Sequence, residues 1–330
     1  MAQKEATTKL IKNFIKKTIS ISEVGPLLAI IILVIVLSIN NSHFLTISNL
    51  LNVARQISMM STMAVGMAGV LISGEIDLSV GATLGIASCL LAIMLKGGIN
   101  PFLAVFSILV LGIIIGILNG VLVTKIGIPS LIVTLGASSI IRGLAFVLTG
   151  GWPVSLYGNP RLTWIAYLGA GKIFGFFPMQ AVFMIIVLII GSFILQKTAL
   201  GYHIFAIGGN TRAAELSGIS IFKTKLIVFA IAGSLAALAG ILSTGFTAQA
   251  DANYGTLMEL DVIAASVIGG VSIKGGKGSI LGVFLGAVIL GILLNGLVLL
   301  GISPFIQKIF IGVVIIGAVG FSERVKYTGK

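Results

Sequence analysis

Carboxylates are the side chains best able to move protons or hold cations, and this chain carries nine in 330 residues. Four of them stand in two matched pairs, Glu75-Ile76-Asp77 and Glu259-Leu260-Asp261. Each pair is followed by an apolar stretch and by a glycine ten residues after the glutamate, Gly85 and Gly269. A carboxylate just ahead of an apolar helix can accept backbone N–H groups and meet the positive end of the helix dipole. The other chemistry open to it is proton coupling, which proton-driven carriers run through an acid or histidine buried mid-span. No acid stands mid-span here, so capping is the expected role. His43 and His203 lie far apart, and the single cysteine, Cys89, is set in an apolar stretch. That leaves no metal-ligand spacing and no thiol pair. No catalytic residue, metal or cofactor is expected.

The polar residues that remain suggest docking and passage rather than catalysis. In the segment 196–225, Gly208-Gly209 break the chain and Asn210 can act as N-cap. Thr211 to Ser217 can then form two helical turns, with Gly218 as a left-handed C′ residue. Such a helix reads as a docking element through Gly208, Gly209, Asn210, Ala213, Ala214, Ser217 and Gly218, or as an ordinary amphipathic loop helix. Arg142, in Ser138-Ser139-Ile140-Ile141-Arg142, lies deep in an apolar stretch, where a charge faces a cavity or a partner rather than lipid. Arg55 and Lys308 are shallower and can snorkel to the headgroups. Asn119 and Asn295 either line a route with Ser138 and Ser139 or hydrogen-bond between helices.

The elements that must position these residues are membrane spans. Hydrophobic residues make up 57% of the chain and charged residues 9%, against about 25% charged in a soluble domain. This is an all-α polytopic membrane protein. Apolar windows place ten spans near 24–39, 50–72, 78–96, 101–123, 127–149, 178–195, 226–248, 261–273, 279–300 and 303–321. The eighth is too short to cross about 30 Å unaided and fits a half-helix. The run Gly112, Gly116, Gly120 and the series Gly282, Gly286, Gly291, Gly296 mark close helix packing. The lysine-rich start and the apolar run Val24 to Ile39 resemble a signal peptide, but no small-x-small site follows, so this reads as an uncleaved first span.

With the N-terminus inside, fifteen Lys and Arg residues fall on one side, against Lys96, Arg161 and Lys172 on the other. The positive-inside rule makes both termini and the 196–225 loop cytoplasmic. The expected organisation is a cytoplasmic segment 1–23, one transmembrane domain 24–321 and a cytoplasmic tail 322–330. The largest external segment, 150–177, carries Trp152, Tyr157 and Trp164, residues suited to a membrane interface. The net charge of +12 is spent on orientation and surface, and no nucleic-acid partner is expected.

The matched acids belong to a longer echo. Gly116-Ile117-Leu118-Asn119-Gly120 is repeated loosely by Gly291-Ile292-Leu293-Leu294-Asn295-Gly296. Spans two to five thus correspond to seven to ten, with Asp77 at the cytoplasmic face and Asp261 at the external one. An inverted repeat of this kind is a transporter's architecture.

Four segments together resemble the permease subunits of bacterial ATP-driven sugar importers, the branch typified by ribose permeases. Ser73-Gly74-Glu75-Ile76-Asp77-Leu78-Ser79-Val80-Gly81 is similar to that family's G-x-I-D-L-S-V-G signature, with Glu75 where many relatives have Gly. The 208–218 segment resembles its cytoplasmic coupling loop. Glu259 to Gly269-Gly270, and Gly275-Gly276-Lys277-Gly278, resemble its C-terminal signatures. The resemblance implies a type II importer fold and a pair of permeases, by default a homodimer. It also implies a separate ABC ATPase and an external solute-binding protein, periplasmic or lipid-anchored, that delivers a monosaccharide. The chain itself lacks a Gly-x-x-x-x-Gly-Lys-Ser/Thr motif, so ATP is bound elsewhere and the chain is not an enzyme. Nucleoside or branched-chain amino acid import on the same architecture is the alternative, with an ion-coupled carrier further off. The expected location is the bacterial plasma membrane, in contact with lipid on most sides.

Overall fold

The computed structural model describes residues 21–328, so the charged N-terminal stretch 1–20 and residues 329 and 330 lie outside the described residues. The helices are α1 (Ile21–Asn40), α2 (Ile47–Ile72), α3 (Val80–Lys96), α4 (Pro101–Val121) and α5 (Ser130–Thr149). They continue with α6 (Leu162–Ala170), α7 (Met179–Lys197), α8 (Ala199–Gly209), α9 (Thr211–Leu216) and α10 (Ile221–Thr247). The last three are α11 (Met258–Ile268), α12 (Ile280–Leu299) and α13 (Pro304–Thr328). A five-residue π-helical turn, Leu122–Ile126, extends α4, and four two-residue strands complete the described residues: β1 (Val154–Ser155), β2 (Lys172–Ile173), β3 (Phe177–Pro178) and β4 (Gln249–Ala250). β1 pairs with β4 and β2 with β3, both antiparallel.

Each of the ten expected spans corresponds to a helix. Among the described residues, six helices are long and apolar enough to cross a bilayer on their own: α1, α4, α5, α7, α10 and α12. α2 is as long, at 26 residues, but hides Ser58, Ser61 and Thr62 in the core, which lowers its apolar content. The eighth span is an 11-residue helix, α11. At 1.5 Å per residue that is about 16 Å, half a crossing. The segment 248–257, which follows α10, covers the other half by turning back into the bundle until Gly255 packs on Gly81 of α3. The segment 73–79 turns back in the same way between α2 and α3.

The two halves pack in matching partnerships. α4 lies along α10 and α12 along α2; α5 lies on α3 and α13 on α11. α2 arrives at the junction described below, whereas α10 departs from it, so the halves run in opposite senses. The glycines hold these contacts close. A Cβ on Gly116 of α4 would overlap the Phe229 carbonyl of α10, and one on Gly286 of α12 would overlap the Ala265 carbonyl of α11. With no hydrophobic drive between helices in lipid, backbone approach of this kind supplies the packing energy. Met63, Met67, Leu71, Phe229 and Val262 fill the core between the halves.

Candidate functional site

One end of the bundle carries the residues expected to dock a partner. Thr198 caps α8, its Oγ1 accepting from the Gly201 N–H at 3.3 Å. The 196–225 segment therefore holds one more helix than expected. Gly208 and Gly209 are the last residues of that helix rather than a break ahead of the next. The break falls at Asn210, which has φ −158° and whose Oδ1 accepts from the Ala213 N–H at 3.0 Å. α9 then runs six residues, and Gly218 follows at φ +82°. The Ile219 N–H closes the C-terminus on the Ala214 carbonyl at 3.1 Å. Of the two alanines expected to face a partner, Ala214 is buried against this chain and Ala213 is exposed. Leu216 is 76% exposed, an apolar side chain left open among the described residues. Arg212 and Glu215 pair across one turn at 2.7 Å in the open.

Directly behind α9, three turns meet backbone on backbone. Gly74 (φ +85°), Gly208 and the Gly275-Gly276 turn (φ +84° and +71°) touch one another. The Gly276 N–H donates to the Ile72 carbonyl at 2.8 Å. A Cβ on Gly208 would overlap that same carbonyl oxygen, so any side chain there forces the junction open. The end of α8 is thus clamped between the end of α2, from the first repeat, and the α11–α12 turn, from the second. An ion pair reinforces it. Lys225, the fifth residue of α10, donates to Glu75, and both side chains are largely buried at 12% and 14% exposure. The sequence marked these glycines as a chain break and as parts of signature segments, and gave no sign that they meet one another.

Asp77 begins the next layer. Its Oδ1 accepts from the Ser79 N–H at 2.8 Å and the Ser79 Oγ at 2.6 Å, and the Asn119 amide donates to that Oγ at 2.8 Å. Asp77 thus orders the turn ahead of α3 rather than capping the helix as expected: Ser79 is the residue before Val80, and among the described residues no side chain accepts from the first N–H groups of α3. Asp261 also departs from the expectation. It is the fourth residue of α11, inside the first turn rather than ahead of it. The two Glu-x-Asp pairs therefore sit at different offsets from their helices. Glu259 faces α3, where a Cβ on Gly81 would overlap its carboxylate, and one of its oxygens is buried without a hydrogen-bond partner. Gly269 and Gly270 end α11, the first packed on Gly282 of α12 and the second at φ +89°.

α5 touches both re-entrant turns. Near its start the Ser130 Oγ accepts from the Ile76 N–H at 3.2 Å, and Thr134 donates to the Ile76 carbonyl at 3.4 Å. Three turns along, Arg142 donates to the Ala252 and Tyr254 carbonyls at 2.5 and 2.8 Å. That contact accounts for a cation so deep in an apolar helix. The opposite face of α5 has no neighbour among the described residues. Gly136, Ser139 and Gly143 lie exposed along it, Ser138 is half-buried, and a Cβ on either glycine would meet nothing. Asn119 and Asn295 are both buried and bonded to neighbouring elements, Asn119 to the Ser79 turn and Asn295 to another helix. Asn295 exchanges two 2.9 Å hydrogen bonds with Asn49 of α2. They are not brought together with Ser138, Ser139 and Arg142.

Comparison with known proteins follows this architecture. The ribose import permease protein RbsC of Bacillus subtilis is 40% identical over 297 residues, 90% of this chain and 91% of the relative. The protein of the same name in Haemophilus influenzae is 39% identical over 292 residues, 88% of this chain and 90% of the relative. The autoinducer 2 import system permease protein LsrC of Salmonella typhi is 34% identical over 306 residues, 92% of this chain and 86% of the relative. No solved structure matches the chain. The profile of a family described as branched-chain amino acid transport system / permease component matches residues 49–319, from the start of α2 into α13. The chain belongs to that family of transport-system permease components.

Proposed function

We propose that this chain is the transmembrane permease of an ATP-binding-cassette importer that carries ribose or a similar monosaccharide across the bacterial plasma membrane. The observation that carries the cargo is identity near 40% across nine tenths of the chain to ribose import permeases. ATP hydrolysis belongs to a separate ATPase, and a binding protein on the far side delivers the sugar. On this reading α9 is the coupling helix, presenting Ala213, Leu216 and Ser217 to the ATPase at the cytoplasmic face. The segments 1–23 and 322–330 lie on that same face, and 24–321 forms one membrane domain.

The geometry supports a definite path for force. Closure of the ATPases on nucleotide displaces α9, and the glycine junction hands that displacement to the ends of α2 and α11 together. Both re-entrant turns then pull on α5, one through Ser130 and Thr134, the other through Arg142. A second copy of the chain covers the open face of α5, where glycines permit close approach, and sugar passes between the copies beside Ser138 and Ser139. A neutral sugar needs only hydroxyl-compatible groups, which fits a face with no acid on it.

The family description names branched-chain amino acids, and that is the second reading of the cargo. Competition separates the two. Uptake of labelled ribose by the complete transporter is expected to fall with excess unlabelled ribose and to ignore excess leucine or uridine. Inhibition by leucine instead would transfer the cargo to the second reading.

A further inference from the structure

A polar cavity of about 200 Å³ opens at the other end of the bundle, opposite the glycine junction. Ser48, Asn52 and Arg55 of α2 line one wall, and Gly171, Lys172 and Phe176 of the β2–β3 hairpin line the other. Arg55 is held in place, its guanidinium donating to Asn52 and lying 4.7 Å from the centre of the Phe246 ring. No acid lines the cavity, and neither Arg55 nor Lys172 has an acidic partner among the described residues. Two cations around an uncompensated polar cavity specify an anion.

The hairpin above the cavity identifies the environment. Its tip is Phe174-Gly175, with φ +55° and +79°. A bulky residue in the left-handed region is strained. Yet Phe174 is 89% exposed and Phe176 55% exposed, so no packing among the described residues offsets that strain. Two phenylalanines presented to water are unfavourable, whereas aromatic rings beside basic side chains fit the headgroup layer of a bilayer. The hairpin also leads straight into α7, whose exposed residues Ile185, Ile186, Ile189, Ile190 and Phe193 form an apolar outer face. It therefore stands on the lipid perimeter, on a different side from the open face of α5, which packs on α3 and α4 and makes no such contact with α7.

We infer that this cavity is a phospholipid headgroup site. Arg55 and Lys172 take the phosphate of an anionic lipid, Asn52 and Ser48 offer hydrogen bonds to its headgroup, and Phe174 and Phe176 anchor the hairpin in the interface. The site is independent of the cargo and of the ATPase.

The test uses the full chain in its transporter complex, in detergent with phosphatidylglycerol or phosphatidylcholine, and counts retained lipid by native mass spectrometry. Arg55→Gln and Lys172→Gln are each expected to reduce phosphatidylglycerol retention about fivefold. Lys96→Gln, which removes a cation outside the cavity, should leave it unchanged. Equal retention in all three variants would overturn the site. Displacement of the lipid by millimolar inorganic phosphate, with phosphate bound in its place, would overturn the lipid as occupant. Loss of binding-protein docking with lipid retention intact would make the cavity a protein interface and equally overturn it. Should Arg55→Gln fail to fold, a nitroxide on Phe174→Cys in a Cys89→Ala background reads the hairpin directly. Preferential access to oxygen supports burial in the interface, and preferential access to a water-soluble nickel complex refutes it.

Discussion

Glu75 and Lys225 show how much a single pair can decide in this chain. Both side chains are nearly out of solvent, and their attraction is set against the cost of desolvating two charges. Removing one partner leaves the other buried and uncompensated. Glu75→Gln is therefore expected to destabilise the protein by about 3 kcal/mol. The double replacement Glu75→Gln with Lys225→Met should recover most of that loss. Thermal unfolding in detergent, followed across the four variants, measures both numbers. Equal stability of Glu75→Gln and the unaltered chain would show that the pair does not hold the junction.

At the scale of elements, α9 is the part that has to survive on local chemistry alone. Six residues are far too few for a stable isolated helix, so α9 depends on the Asn210 cap, the Gly218 turn and the seat of Ala214. Ala213→Glu puts a long charged side chain on its exposed face without touching that seat. It should leave folding unchanged, within about 0.5 kcal/mol for an exposed position, and abolish ATPase association in pull-down. Retained association would move the docking surface away from α9. The existence of this helix, its Asn210 cap and its Gly218 turn were legible because they are local signals, whereas the break before it and the burial of Ala214 were not. The spans were legible too, since lipid forces backbone groups to be satisfied within each helix.

What local signals could not supply was the surroundings. The helix Ala199–Gly209 was hidden because Gly208-Gly209 look like a break, and only the carbonyl of Ile72 explains why glycine is needed inside a helical end. Asn119 and Asn295 could equally face a route or a neighbour, and their partners, Ser79 and Asn49, are 40 and 246 residues away. Arg142 announced itself as a buried cation that needs a partner. That the partner is the backbone of a turn 110 residues later is a tertiary fact no spacing encodes. The repeat was seen through its acids, although their offsets from the helices differ between the halves.

For the whole molecule, the account requires a second copy on the open face of α5. The single native cysteine makes this easy to examine. Ser139→Cys in a Cys89→Ala background should form an intermolecular disulfide under mild oxidation, while a cysteine at Ile189 on the perimeter should not. A cross-link at Ile189 but not at Ser139 would place the partner elsewhere and detach α5 from the pathway.

The central claim is that ATP drives this permease through partners it does not contain. The most direct measurement is uptake of radiolabelled ribose into proteoliposomes holding the chain with its ATPase and binding protein. The account predicts uptake only with ATP on the side of the ATPase and with both partners present, falling to background in Ala213→Glu. Uptake by the chain alone under an ion gradient would contradict it.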